Sequence, residues 1–232
     1  MIRQKIGENL KRIRERIEAA AGRSGRCGED VSLVAVTKYA ENDWVQALFD
    51  LGHRALGESR PQQLARRAGE FSGEIEWHLI GHLQRNKVDL VLPVTSQIHS
   101  VDSLRLARKI SDSATKSGTT QAVLLEVNVS GEEAKDGLAP LTLREQWSEF
   151  RGLPSIQIDG LMTMAPRSDG SESTRSVFRG LRELRDELAE ASGGECPLPE
   201  LSMGMSGDFE VAIEEGATLV RIGSSLYEGL SR

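Results

Sequence analysis

The sequence predicts a (β/α)8 barrel on two observations. Eight short apolar runs recur along the chain, and the segments between them carry helical periodicity, several opening on cap-type Ser, Thr or Asp and closing on Gly. Strands alternating with helices imply a parallel sheet, and eight such units are the count of the closed barrel, whose usual length is about 250 residues. The chain has 232. A doubly wound open sheet is the rival architecture, but no Gly-rich dinucleotide fingerprint follows the first strand, where such a sheet often places one.

Taken in order, Ile6, Leu10, Ile13 and Ile17 repeat at steps of four, three and four, which predicts an amphipathic helix over about residues 1–22 ahead of the barrel. The strand candidates are 31–37, 53–57, 75–80, 96–101, 121–129, 156–163, 199–203 and 218–223. "SLRLARKISDSATKSG", "STRSVFRGLRELRDELAEASGG" and "GDFEVAIEEG" are crossover helices after the fourth, sixth and seventh strands. In the second of these, Leu181, Leu184 and Leu188 keep helical step, so it reads as a solvated helix laid over the barrel with its charges paired at i,i+4. The runs 131–137 and 167–175 read as loops. With no low-complexity linker, residues 1–232 read as a single domain.

Composition narrows the function classes. A formal net charge of −6 and a pI near 5.4 speak against a protein whose main role is to coat nucleic acid or an anionic membrane. Cys27 and Cys196 fit no zinc spacing and no disulfide scaffold, which favours a reducing compartment. The N-terminus lacks the apolar centre of a signal peptide, and no stretch approaches the roughly 20 apolar residues of a membrane span. The chain reads as soluble and cytoplasmic.

A barrel places its active face at the C-terminal ends of its strands. Those ends carry Lys38, Glu58, Ser59, the run "GHLQRNK", Asp102 and Asn128, then "LMTMAP", "SMGMSGD" and "RIGSS". Two of them suit a phosphate. Ser206, Gly207 and Asp208 lead into a helix, and Gly223 allows close backbone approach beside Ser224; these follow strands seven and eight, the usual phosphate position of this fold. In a closed barrel the eighth strand lies beside the first, so Lys38 shares that rim, with Arg221 as a second cation able to lower its pKa. On the residues alone Lys38 is either a nucleophilic amine or a snorkelling or ion-paired lysine. His78 and His82, four apart on a strand-to-turn segment, do not suit a metal site, and Trp44, Trp77 and Trp147 read as packing residues. Asn86, Lys87 and Lys135 are rim candidates for a second phosphate or a partner protein.

The motifs "LVAVTK", "GES", "EWHLIGHLQRNK", "IHSVDS", "VNVSGEEAKDG", "GLMTMAP", "LSMGMSGD" and "VRIGSSLYEG", in this order and spacing, resemble the pyridoxal phosphate homeostasis protein family, also called the proline synthase co-transcribed family. The likeness runs from about residue 30 to 229. It implies a barrel similar to the N-terminal domain of alanine racemase, holding pyridoxal 5′-phosphate (PLP) as an aldimine, a Schiff base, on Lys38. The binding set it implies is Lys38, Ser59, Met203, Ser206, Arg221, Gly223 and Ser224, with Ser206, Gly223 and Ser224 at the phosphate and Arg221 facing the pyridine nitrogen. Where the family reads Gly-Glu-Asn, this chain has Ser59, which is shorter and offers one hydroxyl in place of the amide.

The resemblance implies a monomeric carrier or buffer that holds PLP with little or no turnover and delivers it to PLP-dependent apoenzymes. The alternative is an amino-acid racemase or a related fold-type III enzyme. Against it, racemisation needs a second base, and Tyr39 and Tyr227 are the only tyrosines. A more distant reading is a Schiff-base aldolase acting on a phosphorylated sugar.

Overall fold

The computed structural model describes residues 1–71, 73–132, 136–166 and 171–230. Among them eight parallel strands close a barrel in sequence order: β1 (Ser32–Val36), β2 (Ala55–Glu58), β3 (Glu76–Leu79), β4 (Gln97–Val101), β5 (Gln121–Glu126), β6 (Ile156–Met162), β7 (Glu200–Ser202) and β8 (Leu219–Ile222). Helix α1 (Ile2–Arg23) precedes the barrel. The crossovers carry α2 (Asn42–Asp50), α3 (Pro61–Glu70), α4 (Val88–Val91), α5 (Leu104–Ser117), α6 (Pro140–Arg151), α7 (Ser171–Ala191) and α8 (Phe209–Glu214). Lys135 and residues 167–170 lie outside the described residues.

Local chemistry accounts for the element ends. In α5 the Ser103 hydroxyl accepts a hydrogen bond from the Leu106 N–H, and Gly118 takes the left-handed conformation, φ 65°, that stops the helix. The strands match the expected runs closely except in β5, expected to reach 129. It ends at Glu126: the Val127 N–H still donates to the Met162 carbonyl of β6 at 2.8 Å, but the Glu126 carbonyl and the Asn128 N–H turn to Leu138, which bridges Val127.

The leucines of α7 are buried as expected, but its charges pair differently. Arg175 and Arg179 reach Glu215 at 3.0 and 3.3 Å, and Glu187 takes Arg144 of α6 at 2.7 Å. No i,i+4 ion pair forms along α7 among the described residues. Its arginines extend past their own helix to acids at the end of α8, and its Glu187 meets an arginine that reaches across from α6.

Two apolar layers hold the fold. The larger lies between strands and helices, where Leu33, Ala35, Leu56, Leu79 and Ile98 meet Leu48, Leu64, Ile110 and Phe150; α1 adds Ile6, Leu10, Ile13 and Ile17. The smaller sits inside the barrel, where Val34, Leu124, Met162 and Leu219 pack together. Much of the remaining interior is polar. Among the described residues no helix is long and apolar enough to cross a membrane.

One irregularity shapes the barrel wall. Val123 pairs with Ile158 and Leu124 with Gly160, so Asp159 is an extra residue in β6. Gly160 in turn pairs with Glu200 of β7, and a Cβ there would run into the Glu200 carbonyl. Gly160→Ala is therefore expected to cost about 1–3 kcal/mol or more, as overpacking does. Urea unfolding measures it: the midpoint should fall at constant slope, and an unchanged midpoint would mean that β7 can move aside.

Candidate functional site

Side-chain alternation along β1 decides what enters the site. Leu33 and Ala35 face the helices, whereas Val34 belongs to the interior cluster and Val36 lines a cavity at the C-terminal mouth. Continuing the alternation, Thr37 turns outward and Lys38 turns in. β8 lies alongside, with Val34 opposite Arg221 and Ala35 opposite Ile222. The turn after β8 thus stands next to Lys38. A cavity of about 910 Å³ opens there, with Lys38, Ser59, Ser206, Arg221, Gly223 and Ser224 in its wall. Lys38 is half-buried, its Nζ 5.3 Å from the centroid of the Tyr39 ring.

Facing the amine is a cluster of hydrogen-bond donors. The N–H groups of Gly223 and Ser225 both point at Ser206 Oγ, at 3.3 and 3.4 Å. These are long bonds to a neutral oxygen, and an anionic oxygen would be a better acceptor for the same converging N–H groups. The helix expected to open at Ser206 begins later, at Phe209, because the Asp208 carboxylate accepts from the Met205 N–H at 2.5 Å and folds residues 205–208 into a turn. The donors in position come from the β8 turn, and Ser225 among them carries no signal separating it from Ser224. Gly204, φ 93°, makes the close approach possible, since a Cβ would stand 2.6 Å from Ala212 Cβ. Met203 is fully buried outside the cavity wall, its N–H donating to the Leu219 carbonyl.

Arg221 heads a buried chain of hydrogen bonds. Its Nη1 donates to Ser202 Oγ at 2.5 Å and its Nη2 to the Thr163 carbonyl at 3.0 Å. Ser202 Oγ lies 2.9 Å from His99 Nδ1, and His99 Nε2 lies 2.9 Å from His78 Nδ1. Burial lowers the pKa of His78 to about 4 and that of His99 well below its ordinary value, so both rings are neutral at neutral pH. When the Ser202 hydroxyl, accepting from Arg221, gives its own proton to His99 Nδ1, every bond runs one way, and His99 Nε2–H donates to His78 Nδ1. Among the described residues His78 Nε2 and Gln97 Oε1 both lack a hydrogen-bond partner, and Gln97 is the group that raises His78 against burial. Gln97 Nε2 donates onward to Glu200 at 2.5 Å and Asp159 at 3.1 Å. Burial lowers Arg221 to about 10 while Glu126 and Asp208 oppose it, and the guanidinium stays charged.

Other strand-end residues go elsewhere. Glu58 points away from the barrel interior into an ion pair with Arg67 at 2.6 Å. His82 pairs with Asp102 at 3.3 Å, well separated in role from the interior His78. Asn86 and Lys87 sit in a short turn outside the cavity wall. Glu126, at the end of β5, is pushed up to about 7 by burial and by Asp102 and Asp136. Tyr227 stacks on Trp44 at 5.2 Å; its hydroxyl is buried without a partner among the described residues, and burial raises its pKa well above the ordinary value.

Comparison with known proteins places the family and the fold. The profile of the alanine racemase N-terminal domain matches residues 6–231. A pyridoxal phosphate homeostasis protein from Aquifex aeolicus is 42% identical over 221 residues, covering 95% of this chain and 96% of that one. PipY of Synechococcus elongatus, solved with PLP bound, superposes with a TM-score of 0.85 at 31% identity, covering 95% of this chain and 99% of that one. An alanine racemase from Clostridium difficile shares the fold, with a TM-score of 0.76 at 17% identity, and this chain spans 58% of it.

The one-way chain makes a spectroscopic prediction. Nitrogen-15 spectra at pH 6–7 should show His78 and His99 both neutral and both carrying the proton on Nε2. A proton on His99 Nδ1 would reverse the assigned direction.

Proposed function

The chain belongs to the pyridoxal phosphate homeostasis proteins, within the alanine racemase N-terminal domain family, and on that premise we propose that it binds PLP and keeps it available to other proteins, with little or no turnover of its own. The observation that carries this reading is one cavity wall holding an amine, a buried cation and converging anion donors: Lys38, Arg221, and the N–H groups of Gly223 and Ser225 beside Ser206. Ser206, Gly223 and Ser224 would hold the phosphate. Arg221 would stand at the pyridine nitrogen, Lys38 would hold the group covalently through its amine, Ser59 would complete the wall, and Met203 would support it from behind. When bound, PLP supplies an aldehyde open to capture by an amine and a ring that withdraws electrons.

Each residue's chemistry favours holding over turnover. Arg221 keeps its charge and is tied down at both terminal nitrogens, so it opposes a further proton beside it. Racemisation needs a proton removed on one face and returned on the other. Lys38 can serve one face, but the buried Tyr227 hydroxyl is held protonated by its surroundings and Tyr39 is 56% exposed. The free thiols of Cys27 and Cys196 suit a reducing, cytoplasmic setting, where PLP-dependent apoenzymes would be the recipients.

Transfer tests the reading. Protein loaded with PLP should restore the activity of a PLP-dependent apoenzyme in the presence of a trap that consumes an equal amount of free PLP. If the trap abolishes the transfer, or if the protein racemises alanine at the roughly 1–10³ per second typical of enzymes, the carrier reading is wrong.

A further inference from the structure

Lys38 sits in a turn outside regular structure, closed by one bond from the Ala40 N–H to the Thr37 carbonyl at 2.8 Å. A turn of that kind leaves its amine free to wander, yet three of its carbonyls are held from a single helix face. Arg67 of α3, 3% exposed, donates through Nη1 to the Thr37 carbonyl at 2.6 Å and through Nη2 to the Ala40 carbonyl. Gln63, one turn earlier on α3, donates to the carbonyl of Lys38 itself at 3.3 Å. The grip brackets the lysine on both sides.

The guanidinium is anchored to the barrel as well. Nη1 also donates to Glu58 Oε1 on β2 at 2.6 Å, and the same oxygen accepts from the Thr37 hydroxyl at 2.8 Å. Meanwhile Arg67 Nε and Glu58 Oε2 have no partners among the described residues. A pair arranged for its own stability would form two parallel bonds. This one leaves half of that capacity unused while both terminal nitrogens go to the carbonyls flanking Lys38. A buried ion pair is weak evidence for stability, because apolar residues of similar volume often do as well.

We infer that Arg67, braced by Glu58 and seconded by Gln63, is a positioning residue that fixes the Lys38 turn so that the amine meets its carbonyl partner in the cavity. The inference rests on the reading that Lys38 holds PLP covalently. Arg67 touches neither the cofactor site nor the amine and acts through the backbone of residues 37–40. A lysine at 67 keeps the charge beside Glu58 but cannot present a planar fork to two carbonyls.

The experiment compares Arg67→Lys with wild type in three measurements. The first is the rate of borohydride-trappable attachment of PLP at Lys38, located by peptide mapping. The second is the affinity for pyridoxine 5′-phosphate, which has the phosphate and ring but no aldehyde. The third, on protein without any cofactor, is amide hydrogen exchange at residues 38–40. Positioning predicts attachment slowed by about tenfold or more, as small misplacements of reacting groups do. It also predicts faster exchange in the turn and pyridoxine 5′-phosphate affinity within about twofold of wild type. An unchanged attachment rate, or a rate and affinity that fall together with the melting temperature, overturns it. Should Arg67→Lys fail to fold, Gln63→Ala decides, with slower attachment at unchanged pyridoxine 5′-phosphate affinity supporting the inference and an unchanged rate overturning it. Label absent from Lys38 in the wild type removes the cofactor reading and this inference together, whereas normal labelling in wild type and Arg67→Lys alike removes the inference alone.

Discussion

The pairing of β8 with β1 is the constraint on which the site depends. Lys38 and the Gly223–Ser225 turn are separated by most of the chain, and in an open sheet of the same strands they would stand at opposite edges. Closure with Val34 opposite Arg221 sets them side by side. Alternation then decides orientation: along β1 the even-numbered residues Val34 and Val36 face the interior or the cavity, and Lys38 follows them. Because the side-chain period is two, a slip of one residue would send the amine outward and bring Thr37 in. The apolar contacts of Leu33 and Ala35 with the helix layer hold the register against that slip.

The second dependence is the polar column inside the barrel. Barrel interiors are ordinarily filled by layers of branched apolar side chains. Here Val34, Leu124, Met162 and Leu219 form only a small apolar cluster. Arg221, Ser202, His99 and His78 supply a hydrogen-bonded chain pointing to Gln97 and the carboxylates of Glu200 and Asp159. An unpaired buried polar group costs about 1–3 kcal/mol, so such a column is tolerable only when nearly every member finds a partner. It leads from a cation at the cavity towards anions at the other end, with donors running from the cation inward. The guanidinium is thereby fixed, and its charge becomes a permanent feature of the cavity wall.

Much of this was legible in the chain before any coordinates. The eight apolar runs give the strands, the steps between Ile6 and Ile17 give α1, and reading only the strand ends isolates Lys38, Ser59, Ser206, Arg221, Gly223 and Ser224. What stayed hidden required partners distant in sequence. His99 and Ser202 are 103 residues apart, and each alone is a single polar residue in an apolar strand. Arg66 and Arg67 show the same limit most plainly. They are adjacent and chemically identical, yet Arg66 is exposed beside Glu70 and Arg67 is buried against Glu58 and the Lys38 turn, a difference set by helix phase and by what β2 presents beneath it. The charges of α7 escaped their expected i,i+4 partners for a similar reason, since Arg175 and Arg179 reach the acids at the end of α8 and Glu187 takes an arginine of α6.

The most direct test of the central claim, that one cavity wall holds PLP through Lys38, is the visible absorption spectrum of the protein incubated with PLP and then freed of excess cofactor. The account predicts a stoichiometric chromophore that borohydride bleaches in the wild type and that is missing from Lys38→Ala, while phosphate-directed binding of PLP to that variant persists more weakly. An equal chromophore in wild type and Lys38→Ala, or none in either, would contradict it.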